Sequence, residues 1–364
     1  MADVYICVYP SGYTLSSAEQ SKYGISHRYT SLASAVSGEA QNWVTAGNKP
    51  IIEILEGDES NNWSGSPDTS PVSFGSAWGL SSTYPLIIKT LGTARSQNGL
   101  WDSNAYILSV SNNNGILFTD YGTTDRLHIH MDGLQIKVTS TIASKRCLYG
   151  DGYIGIIEFK NGYLWNNSNI GTCHAMLCSC FDDNGIFRIW NSILRTYNNN
   201  IGQAIDTYND NIYVYNSTIF NTSRGLNTRN NGVTVKNSAL FYIDDINGVD
   251  TNDIVGTYTA VDYCASDNVV GTNAINISPG ADEPTEWAKA IKDYTNGDVT
   301  IKDISSVLYG AGNDLSNEFT DLTGDTNPLS KDMIGNDRTR WDIGAINYET
   351  PAIIDNAMFF GYNY

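Results

Sequence analysis

A chain of 364 residues with a formal net charge of −18 and a pI near 4.4 repels phosphate backbones, so nucleic acid is not an expected partner. Only 16% of residues are charged, while 33 Gly and 23 Tyr accompany an apolar content of 41%, a mixture suited to short strands and tight turns rather than long helices. No stretch approaches the ~20 apolar residues of a membrane span, and the start Met1-Ala2-Asp3-Val4-Tyr5 lacks a secretory pattern, so no signal-directed export is expected.

The chain opens with a predicted strand at 4–9 and a polar, Tyr/Ser-rich stretch. A helix is then predicted from Thr30 or Ser31 as cap, with Leu32, Val36, Ala40 and Trp43 on one face and Gly47 ending it. A strand follows at 51–55. One apolar stripe directly before a strand suits a plug for the open end of a solenoid, whose terminal coil otherwise exposes core and strand edges. Residues 57–84 read as loop, and strands resume at 85–89, 106–110 and 115–118.

From there one phrase recurs, apolar–x–apolar–x–Asn–(Gly/Ser). It begins at Ile157, Phe187, Ile212 and Val233 and carries Asn161, Asn191, Asn216 and Asn237; Leu127 begins a variant without the Asn. The starts lie 30, 30, 25 and 21 residues apart. A period of this size with one strand per repeat predicts a solenoid of strands. Its predicted inward columns are Leu127/Ile157/Phe187/Ile212/Val233, Ile129/Phe159/Ile189/Val214/Val235 and Leu134/Leu164/Leu194/Ile219/Leu240, all apolar. Cys180, Ile205 and Leu226, each seven residues before the next phrase, form a further predicted column, with corners at 182–185, 209–211 and 230–232. Stacked at strand spacing, the Asn column reads as structural, each amide bonding to the next coil.

These features resemble the right-handed parallel β-helix superfamily of the pectate-lyase-like and phage-tailspike type. Residues 30–58 are similar to its helix-and-first-strand cap. Asn296-Gly297-Asp298-Val299, Gly310-Ala311-Gly312, Asp321-Leu322-Thr323-Gly324 and Asp342-Ile343-Gly344-Ala345 are similar to its final-coil motif, although Asn347 is an insertion relative to the usual ending. The resemblance implies an all-β right-handed parallel β-helix with an N-terminal capping helix and a short C-terminal extension. The expected organisation is 1–56 as strand and cap, 57–349 as β-helix with its closing motif, and 350–364 as an aromatic tail. Activity does not follow, since the same fold carries lyases, hydrolases, adhesins and virion proteins.

The outward columns are predicted as His128/Glu158/Arg188/Tyr213/Thr234 and His130/Lys160/Trp190/Tyr215/Lys236. Trp190, Tyr213 and Tyr215 beside Arg188 and Glu158 make a candidate glycan strip, in which rings pack on sugar C–H groups and charges fix hydroxyls. The competing reading is a sheet face covered by a loop or a subunit. A glycosidase needs paired carboxylates, but Asp182-Asp183, Asp244-Asp245 and Asp151 all read as turn residues, and Glu158 has no evident partner. His128 and His130 lack a third metal ligand in the adjoining coil and read as surface residues, so no metal and no cofactor are expected. The six cysteines, including Cys173, Cys178 and Cys180, read as buried free thiols.

The tail from Pro351 is apolar and aromatic to Tyr364, which favours docking on another chain. The reading these features favour is a bacteriophage virion surface protein: decoration, fibre or tailspike-like, contacting other virion subunits through 350–364 or a host polysaccharide, and trimeric by analogy to tailspikes. The alternative is a polysaccharide lyase or glycoside hydrolase.

Overall fold

A computed structural model describes residues 2–119, 126–168, 174–180, 185–196, 203–208, 211–222, 224–243, 253–267, 271–277, 283–293 and 296–348. Its strands form three stacks, and every pairing within them is parallel. The first stack runs Ala2–Val8, Asn48–Ile54, Leu86–Thr90, Leu127–Asp132, Ile154–Lys160, Ile186–Trp190, Asn211–Tyr215 and the second half of Arg224–Lys236. The second runs Ile107–Ser111, Gln135–Thr139, Tyr163–Asn166, Ile193–Thr196, Thr218–Thr222, Ala239–Ile243, Ala265–Ser266 and Ile275–Asn276. The third runs Val72–Gly75, Ile116–Thr119, Arg146–Gly152, His174–Cys180, Gln203–Thr207 and the first half of Arg224–Lys236. The chain visits the first, second and third stacks in turn and returns to the first. Parallel neighbours need long crossovers; here the crossover is made of the other two stacks. The architecture is all-β and solenoid-like.

The predicted inward residues are buried throughout, but their registration differs by two residues in one coil. Ile157 pairs with Ile129 and Phe159 with Met131, while Leu164 pairs with Ile136. The cause is a bulge between Ile154 and Ile156. A shift of two preserves the buried face, so the apolar pattern gave no sign of it. The outward columns change with it: His130, rather than His128, stands opposite Glu158, and Asp132 opposite Lys160. In the third stack Met176, not Cys180, pairs with Ile205, because the connection to the next phrase is longer in that coil.

The shift also explains the missing Asn. Gly133 occupies the position of Asn161, its amide bonding to Lys160 O as Asn161 N bonds to Trp190 O. Both are left-handed, with φ of 83° and 53°. Only Gly fits at 133, because a Cβ there would collide with Thr90 Oγ1.

Two corners and one helix depart from expectation. Residues 230–232 continue the strand Arg224–Lys236, and Asp151 lies within Arg146–Gly152. The predicted single helix is two, Leu32–Gly38 and Trp43–Ala46, each with its own cap. Ser31 accepts from Ser34 N and Asn42 from Thr45 N. The break falls at Glu39, whose buried carboxylate bonds Tyr29 Oη (2.8 Å) and His27 Nδ1 (2.7 Å). Leu32, Val36 and Trp43 share the core with Ile6, Ile52 and Phe74. A further helix, Ser17–Tyr23, carries a complete Ser16/Glu19 capping box.

The C-terminal part lies along the flank of the stacks rather than closing a coil. Helix Glu283–Ala290 and the antiparallel pair Ile291–Asp293/Asp298–Ile301 lead into 302–348. Trp287, Leu308, Met333 and Ile343 pack on Tyr163, Ile193, Phe220 and Ala239 of the second stack. Those partners neighbour the inward Leu164, Leu194, Ile219 and Leu240, so they face outward. Cys7, Cys147 and Cys264 are buried and free. Cys173, Asp182-Asp183, Asp244-Asp245 and the 350–364 tail lie outside the described residues, as do the side chains of Cys178 and Cys180. No helix among the described residues is long and apolar enough to cross a membrane.

Candidate functional site

The outward face of the first stack holds the chemistry-bearing residues, and residues 313–331 cross it as a strap. At its centre Glu158 is fully buried. Its Oε2 meets His130 Nδ1 at 2.8 Å and accepts from Leu322 N at 2.8 Å, while its Oε1 accepts from Arg188 Nη1 at 2.8 Å. Asp321, from the strap, lies 3.4 Å from Lys160 Nζ and 4.0 Å from His130. Its other oxygen accepts from the amides of Thr323 and Asp325, forming the turn that presents it. Asp132 bonds Arg95 and Asn161 Nδ2.

His130, Glu158 and Asp321 offer ligand atoms within 4.8 Å of one another. The strap thus brings the third ligand that the neighbouring coils lack, and Glu158 has partners after all. These atoms are already engaged, however, and Arg188 and Lys160 supply the positive charge that a metal would bring. The donor set fits a clamp better than a metal centre. The two carboxylates are also sealed from any substrate, which general acid–base chemistry must touch.

The aromatic strip is not open. Trp190 and Tyr215 are buried with Leu315 and Leu329 of the strap, and Tyr213 packs at their edge. Phe319 stacks on Tyr215 (5.7 Å, 23°), meets Trp190 edge-on (5.2 Å, 78°) and lies under Arg188 at 4.8 Å. The protein's own Phe319 takes the place a sugar ring would need. The sequence offered no sign of this partner, 129 residues beyond Trp190, because Phe319 lies in a stretch without strand periodicity.

Asn161, Asn191, Asn216 and Asn237 all have φ between 45° and 53°, a left-handed turn that Asn tolerates. Asn191 Nδ2 reaches Asn161 Oδ1 (3.3 Å) and Lys331 O (2.7 Å); Arg338 donates to Asn191 Oδ1 (3.1 Å). Asn237 exchanges two bonds with the backbone of Asn313, at 2.7 and 2.8 Å. The column therefore anchors both ends of the strap. Asn216 Nδ2 is buried without a partner among the described residues.

The histidines are not surface groups. His130 is 1% exposed, and His128 lies half-buried against Gly155. Burial, aided by Arg126, pushes His128 down to about 4; burial with Arg146 and Arg229 pushes His174 down to about 3. For Asp321, burial pulls upward, but His130, Lys160 and the Thr323 hydroxyl outweigh it and hold the carboxyl below its usual range. Arg95 and Lys160 do the same for the buried Asp132.

Acid is therefore expected to act in two stages. Unfolded histidine takes a proton below about 6.5 that folded His128 and His174 refuse until about 4 and 3, so stability falls across that window. Each contributes up to about 1.4 kcal/mol per pH unit. The depressed carboxylates contribute stability that is complete above about pH 4 and lost only as pH falls through their folded values. Thermal melting should decline from pH 6.5 downward, while near-UV ellipticity from the strap holds to about pH 4. Loss of that signal between pH 7 and 5 would contradict the clamp.

Protein-family models, curated proteins and solved structures were compared with the chain, and none matches.

Proposed function

We propose that the chain is a right-handed parallel β-helix serving as a structural element on a virion surface, and that it does not degrade polysaccharide. The order in which the chain visits its three parallel stacks supports the β-helix, and the strong preference of parallel crossovers for the right hand supports the handedness. The observation that carries the structural role is the sealed first face. Its carboxylates are bonded into a clamp, and Phe319 fills its aromatic strip. A face built this way makes a stiff rod and leaves no groove for a chain of sugars among the described residues. Attachment to other subunits through 350–364 and trimerisation belong to the same proposal, supported by the apolar tail and the tailspike resemblance.

Immunogold labelling of assembled particles from the source should place the chain at the particle surface. A label found only in free protein would overturn the assignment. Release of reducing ends or unsaturated uronates from a polysaccharide panel by the purified chain would restore the enzyme.

A further inference from the structure

The outer face of the second stack carries a ladder of a different kind. Lys137, Trp165, Arg195 and Phe220 occupy the same outward position on consecutive rungs. Lys137 Nζ lies 4.3 Å from the Trp165 ring centroid, and Arg195 Cζ lies 5.0 Å from it and 5.3 Å from that of Phe220. Trp101 packs edge-on against Trp165 at 5.1 Å and against Tyr163 at 5.4 Å. Lys137, Trp165, Arg195 and Trp101 are each half-buried.

In a protein of net charge −18, cations ordinarily find carboxylates, as Lys160, Arg188, Arg229 and Lys236 do. Among the described residues Lys137 and Arg195 have none within ion-pair distance; aromatic rings and the Tyr163 hydroxyl are their partners. The nearby acids are committed elsewhere: Asp102 bonds Asn104 N, and Asp298 bonds Thr300 N. Arg195 Nε is buried with no acceptor. Burial and the charge of Arg195 hold Lys137 below its usual value, so an anion arriving between the two would relieve both the repulsion and the desolvation.

We propose that this ladder binds a carboxylate-bearing polysaccharide lying along the stack, its uronate groups meeting Lys137 and Arg195 and its sugar C–H surface meeting Trp101. Strand rungs lie about 4.8 Å apart, so the two cations stand about 10 Å apart along the axis. That spacing suits an extended polyanion better than a single small anion. Guanidinium pairs with carboxylate through two parallel bonds, and the half-exposed indole supplies the apolar contact that sugar recognition uses. Two cations are too few to hold nucleic acid, whose binding grows with the number of phosphates neutralised. The net negative charge acts against any polyanion at long range, but at physiological salt it is screened beyond about 8 Å.

This goes beyond the structural role and does not rest on it; particle labelling can succeed whether or not this site exists. The test is affinity electrophoresis of the full chain through gels containing polygalacturonate, alginate or neutral dextran, at physiological salt. Polygalacturonate should retard the chain and dextran should not. Lys137→Gln and Arg195→Gln should each weaken retardation about tenfold or more, equivalent to about 1.4 kcal/mol, with unchanged melting temperature for Lys137→Gln. Lys289→Gln, at an exposed cation on the helix Glu283–Ala290, should change nothing. No retardation by either polyuronate, equal retardation by dextran, or an equal effect of Lys289→Gln would each overturn the proposal.

Discussion

Glu158→Ala is expected to destabilise the protein by about 3–5 kcal/mol, the cost of breaking a buried ion pair from one side. The carboxylate satisfies three buried donors at once: His130 Nδ1, Arg188 Nη1 and Leu322 N. Its removal leaves an uncompensated guanidinium and an orphaned strap amide, and the strap is then held mainly by Phe319 and the Asn column. Glu158→Gln keeps the shape and part of the hydrogen bonding, so its cost should be smaller. The pair need not be favourable against an apolar substitute; replacing Glu158, Arg188 and His130 together by Leu, Met and Leu should recover much of the loss. Solenoids unfold in segments and need not be two-state. The readouts are therefore the unfolding rate in guanidinium and proteolysis of residues 313–331. A loss under about 1 kcal/mol, with the strap still protected, would mean that the network is decoration.

Period-two alternation predicted the buried face because one register error of a single residue would have mixed apolar with charged positions. It was blind to errors of two, which keep the face and change only the neighbours. The bulge at Ile154/Ile156 made such an error, and so the sequence placed His128 rather than His130 against Glu158. The left-handed turn could have revealed it. Gly133 and Asn161 are both residues that tolerate positive φ, and aligning the coils on them yields the observed register. The clamp was hidden for another reason. Asp321 and Phe319 sit in a stretch with Asx turns and no periodicity, and their partners lie more than a hundred residues away. Local pattern could mark Asp321-Leu322-Thr323-Gly324 as a turn, but could not say which face it covers.

The last test separates the turn from the anchor. At Asn191, Gly accepts the φ of 49° freely but loses the bonds to Lys331 O, Asn161 Oδ1 and Arg338. Each buried group left unpaired costs about 1–3 kcal/mol, so Asn191→Gly should cost about 2–4 kcal/mol after relaxation. Asn191→Ala loses the same bonds and adds the strain of a Cβ in the left-handed region, about 1–2 kcal/mol more. Asn216 has the same backbone, but its Nδ2 has no partner among the described residues and its Oδ1 accepts only from Asn237. Asn216→Gly should then cost about 1 kcal/mol and leave the strap protected from protease. Were the two Gly variants equally destabilised, the column would be serving the turn alone, and the strap would owe its place to Glu158 and Phe319.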